Sequence, residues 1–197
     1  MSIVYSDVLT PDGLTDEQAE LLREDLSDSS LHTLADLLRN NAEAARAFDL
    51  STLTSGVGLE IRPGKLVFTC PYSVFLIDEL TLQVPLCGIL AGTKVTGCAV
   101  TVDVEAAGTA GTVLADVGIT TTDDNGFVVG ADAEAEGIYG GSEAETGALL
   151  KTAALVQNGY LVQTDGELSV TLTSSSGDLD DLTIGEFRVA IAYEFMG

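Results

Sequence analysis

Apolar and polar positions alternate through the middle of the chain. Leu80, Leu82, Val84 and Leu86 are interleaved with Thr81, Gln83 and Pro85, and Cys98, Val100, Val102 and Val104 with Gly97, Ala99, Thr101 and Asp103. Side chains along a strand point to opposite faces in turn, so each run offers one apolar and one wetter face. Gly88, Gly92, Gly97, Gly108 and Gly111 punctuate the stretch, which predicts strands joined by turns. The last segment alternates most cleanly: Phe187, Val189, Ile191, Tyr193 and Phe195 face inward against Arg188, Ala190, Ala192 and Glu194.

Turn chemistry divides the rest. Pro63-Gly64 between Val57–Ile61 and Lys65–Cys70 predicts a hairpin. Asp165-Gly166 predicts another, between Tyr160–Thr164 and Glu167–Thr173. Val74–Ile77, Leu80–Leu86 and Val113–Val117 read as further strands. Residues 118–147 read as a long Gly/Asp/Glu-rich connection with one short strand at Phe127–Val129, and Leu149–Gln157 fits helix or strand equally. About eight short strands with frequent turns predict a mainly β chain, an antiparallel β-sandwich of jelly-roll type.

The first fifty residues differ. Residues 1–13 read as an extended arm carrying Ile3, Val4, Tyr5, Val8 and Leu9. Thr15 and Gln18 form a capping box at a helix start, with Ala19, Leu22 and Leu26 on the inward stripe. Ser27–Ser30 break that helix, and Leu31, Leu34, Leu38, Ala42 and Ala45 form the stripe of a second, running to about Phe48. The sequence therefore divides into an arm and helical hairpin at 1–50 and a β domain at 56–197.

Composition narrows the function. A hydrophobic fraction of 46% and mean hydropathy of +0.30 describe a chain able to bury a core. Against 31 Asp and Glu stand 8 Lys and Arg, a net charge of -23. Such a surface repels phosphate backbones, so no direct nucleic-acid partner is expected. No signal peptide is read at the N-terminus, and apolar runs are too short for a bilayer, so no membrane partner is expected either. Three cysteines, Cys70, Cys87 and Cys98, form no disulfide framework; Cys70 and Cys98 fall in register with buried positions.

Candidate chemistry is sparse. His32 is the one histidine and has no oriented partner or metal-ligand spacing, which favours a surface or capping role. No serine lies in a GxSxG context. Asp123, Asp124 and Asn125, and likewise Asp178, Asp180 and Asp181, could offer oxygens to Ca²⁺, but solvated turns account for both clusters. Gly137–Gly147 lacks the Lys-Ser/Thr of a phosphate loop. The chain reads as no enzyme, with no catalytic residue, cofactor or metal assigned.

AGTKVTG at 91–97, AGTVLADVGI at 110–119 and the closing GEFRVAIAYEF, within residues 80–197, resemble the β-sandwich of tailed-phage virion proteins, especially head-decoration or cement proteins. The resemblance implies a non-enzymatic capsid protein, assembled in the host cytoplasm and lodged on the virion surface. Its implied partners are the major capsid protein and two further copies in a homotrimer. The competing readings are a carbohydrate-binding or adhesion module, such as a fibre component, and a hydrolase using acidic residues. Tryptophan would favour the first of these, and none is present.

Overall fold

The computed structural model describes residues 39–108, 111–140, 144–154 and 159–196. The arm, His32 and most of the expected helical hairpin lie outside them. The chain divides into two compact units, residues 1–42 and 43–197.

The second unit opens on helical residues 43–47 and then builds strands: β1 (Phe48–Asp49), β2 (Gly58–Arg62), β3 (Lys65–Pro71), β4 (Thr81–Ile89), β5 (Thr93–Ala107), β6 (Val113–Ile119), β7 (Asp123–Asp132) and β8 (Gly137–Tyr139). A short helix, α1 (Ala148–Ala154), precedes β9 (Tyr160–Leu161), β10 (Gly166–Ser174) and β11 (Ile184–Phe195). The chain is mainly β, and its strand pairs are antiparallel. One sheet has the order β1-β4-β10-β6-β7; the other runs β2-β3-β11-β5-β8, with β9 also on β5.

Both sheets feed one buried cluster. From the second sheet come Leu66, Phe68 and Cys70 of β3, Val95, Cys98, Val100 and Val102 of β5, and Phe187, Val189, Ile191 and Tyr193 of β11. Val84, Leu86 and Ile89 of β4, Leu168, Val170 and Leu172 of β10, and Val113, Ala115, Val117 and Ile119 of β6 come from the first. Each fully buried Val, Leu, Ile or Phe contributes about 1.5–3 kcal/mol of transfer free energy. The period-two pattern in the sequence is thus the inward face of these strands.

Several expectations hold and others need correction. The 58–71 hairpin forms as read, with Gly64 at φ 60 in its two-residue turn. Val74–Ile77 is no strand: a 3-10 turn over Tyr72–Val74 carries Phe75 into the core, where it packs on Phe187 with ring centroids 5.5 Å apart. Val104 leaves the apolar face because a bulge opposite Glu186–Phe187 inserts one residue and turns it outward. In the expected connection at 118–147 the strand read at Phe127–Val129 is present but longer, the ten-residue β7, and the short β8 follows it. Pairing with β6, through two register shifts, overrides the low strand propensity of Asp and Gly. Asp165-Gly166 closes no hairpin, since β9 belongs to β5 in one sheet and β10 to the other. Asp165 instead accepts a hydrogen bond from the Ala91 N–H, at 2.8 Å, as the chain crosses between sheets.

Candidate functional site

Burial disfavours thiolate chemistry at the cysteines. Cys70, Cys87 and Cys98 are all buried and free. Burial pushes the Cys70 and Cys87 thiols up to about 12 and raises Cys98 as well, whereas nucleophilic chemistry needs the thiolate.

Two loops bring three carboxylates together. Leu179, buried, donates its N–H to the Glu79 carbonyl, and Asp180 donates to that of Ile77, both at 2.9 Å. This clasp sets Asp78, Asp178 and Asp180 with carboxylate oxygens within 4.8 Å of one another. Local desolvation, then the hydrogen bond and charge of Asp78 and the charges of Asp180 and Asp181, push the Asp178 carboxyl above its usual value. Three oxygens can meet part of the six to eight that Ca²⁺ takes; water would supply the rest. Asp178 and Asp180 were visible as a cluster in the sequence; Asp78, a hundred residues away, was not. Asp181, Asp123 and Asp124 are not in the group. A second half-buried acid, Asp116 of β6, accepts the Gly130 N–H at 2.6 Å, and burial raises its carboxyl.

The outer face of the second sheet gathers the cations. Of the 8 Lys and Arg, six remain after Arg23 and Arg39. Four of those, Arg62, Lys65, Lys94 and Arg188, lie on this sheet. Arg188 forks onto Asp103 with two bonds of 2.6 Å, Arg62 onto Glu60 at 2.7 and 2.8 Å, and Lys94 reaches Glu194 at 3.3 Å. Between the ion pairs run Gly97, Ala99, Ala190 and Ala192, all half-buried, giving a low, flat strip.

The sheet edges differ in how they are closed. Beside β7 the chain returns, with Val129 N–H donating to Glu145 and Gly147 N–H to Phe127, both through carbonyls. At β4, whose strand neighbour β1 reaches only Gly88 and Ile89, Thr52 accepts the Gly88 N–H and Thr54 donates to the Pro85 carbonyl. Pro85 fits there because a strand edge does not require its missing N–H. β2 has no such cover among the described residues.

None of the exposed large hydrophobic side chains among the described residues is aromatic; they are Leu, Val, Ile and Met, with Ile138 the most exposed at 73%. No described helix is long and apolar enough to cross a membrane.

Comparison with known protein families and with curated proteins gives no match. Among solved structures, the chain is similar to a cyanophage Pam1 capsid asymmetric unit, at 14% identity and a TM-score of 0.43, over 71% of this chain and 86% of that one.

Proposed function

We propose that the chain is a non-enzymatic structural protein of a virus particle that binds the capsid exterior and reinforces contacts between major capsid subunits, as a decoration or cement protein. The observation that carries the reading is strand order. Eight strands pair from the outside of the sequence inward: β3 with β11, β4 with β10, β5 with β8, and β6 with β7. Four form β3-β11-β5-β8 and four form β4-β10-β6-β7. A long hairpin folded over itself in this way supports a jelly-roll sandwich, an architecture used by viral capsid and lectin domains. The virion half of that choice draws on the resemblance of residues 80–197 to phage decoration proteins, a likeness of fold rather than of site chemistry. The lectin half finds no exposed aromatic platform among the described residues.

Attachment would rest on apolar contact and strand pairing, with three copies around a local threefold position. At a charge of -23 copies repel each other, and about 0.15 M salt limits that repulsion to roughly 8 Å. Apolar burial is not screened. Adding purified protein to stripped particles and sedimenting them across an NaCl series tests the reading. Bound protein should hold or rise with salt; no binding, or steep release as salt rises, would overturn it. A parallel series with EDTA shows whether a divalent ion at Asp78, Asp178 and Asp180 takes part.

A further inference from the structure

The open edge of β2 is a surface of another kind, independent of any capsid. Arg62 and Lys65 flank a two-residue turn, so their N–H and C=O groups face each other across the hairpin. Those of Leu59 and Ile61, out of phase by one residue, face away from β3. No strand or backbone group among the described residues meets them. Natural sheets usually blunt such an edge, as β4 and β7 are blunted in this molecule.

We propose that β2 is a self-association edge, on which the β2 of a second copy adds antiparallel about a two-fold axis at Glu60. The sequence Gly58-Leu59-Glu60-Ile61-Arg62 suits its own reverse. Leu59 comes opposite Ile61 of the other copy, so two outward-facing residues exchange backbone hydrogen bonds, and the exchange occurs twice. Their side chains, already packed on the core from one side, extend the apolar layer across the junction. Arg62 comes opposite Gly58, where no side chain obstructs it. Glu60 meets its symmetry mate, the one unfavourable pair, but Arg62 is bonded to each Glu60, and Lys65 and Arg188 stand close enough to stabilise its charge.

Charge selects a second copy as the occupant. The molecule carries -23, so contact between copies over most of the surface sets acid against acid. At β2 the nearby Arg62, Lys65 and Arg188 balance Glu60, Asp103 and Glu186, so two copies meet there with much less of that repulsion. A five-residue strand pair buries well under the ~800 Å² per partner of a standard interface, so the contact is weak. It gains strength wherever copies are already held close together.

The test is amide hydrogen exchange on the full chain at about 10 μM and about 1 mM, a range that spans a weak contact, with sedimentation velocity on the same samples. The Leu59 and Ile61 amides should exchange at least about tenfold more slowly at the higher concentration, as the average mass rises. Ile61→Pro removes one outward N–H without touching the β2–β3 hydrogen bonds, and should lose the concentration-dependent slowing at Leu59 with an unchanged circular dichroism spectrum. Concentration-independent exchange at both amides in the wild type overturns the proposal without reference to any variant. So does concentration-dependent slowing at Leu59 that persists in a folded Ile61→Pro chain.

Discussion

The boundary between the two units makes a sharp prediction about truncation. Removing residues 1–42 leaves the β unit complete, whereas removing residues 1–50 takes Ala44, Ala47 and Phe48, all part of the buried cluster. Phe48 is 1% exposed and meets Tyr193 edge-on, ring centroids 4.9 Å apart. Losing such a phenylalanine costs about 3–5 kcal/mol. The Ala47 carbonyl accepts from the Leu90 N–H and from the hydroxyl of Thr93, a fully buried residue, both at 2.9 Å. Stranding that hydroxyl adds about 1–3 kcal/mol. The sum, about 4–8 kcal/mol, is comparable with the whole stability of an ordinary domain, about 5–15 kcal/mol. Urea unfolding followed by circular dichroism should therefore show a cooperative transition for the chain starting at residue 43. The chain starting at residue 51 should be largely unfolded in buffer. Equal midpoints for the two would refute the assignment of Phe48 and Ala47 to the core.

Three further outcomes follow from the buried and acidic groups. Cys70, Cys87 and Cys98 should resist a thiol reagent at pH 8 in the native protein and all react in urea; a fast-reacting native thiol would contradict their burial. Asp116→Asn keeps an oxygen for the Gly130 N–H and removes a charge whose folded-state pKa is raised. Because the folded state then holds the proton more tightly, the wild type loses stability as pH rises from the unfolded to the folded pKa. The variant should accordingly be more stable at pH 7 and match the wild type at acid pH, and thermal melts across pH that show no convergence would count against this cause. Asp178→Asn should abolish any calcium-induced rise in melting temperature of the wild type; a rise that survives in the variant places the ion elsewhere.

How much was legible in the sequence depended on whether information was local. β11 and the inward halves of β3, β5 and β10 follow from the alternation of large apolar residues with smaller or polar ones, although Val67, Ser169 and Thr171 on the alternate positions are buried as well. Only the middle of β7, Phe127–Val129, was legible, because its apolar residues are confined to one part of an Asp- and Gly-rich stretch and its pairing with β6 is broken twice. Asp165-Gly166 misled because a turn dipeptide reports local backbone preference and not which sheet each flanking strand joins. The clasp that brings Asp78 to Asp178 depends on Leu179 entering the core, a contact across a hundred residues that no spacing rule records. The edge position of β2 was likewise invisible, since it depends on which strands pair among the described residues and not on local pattern.

The proposed place on the outside of a capsid is tested most directly by a single-particle reconstruction of the virus particle proposed to carry the chain. The account predicts external density at joints between capsid subunits, fitted by two packed sheets with the strand order β3-β11-β5-β8 against β4-β10-β6-β7. Particles that lack the chain, or that carry it inside the shell, would contradict it.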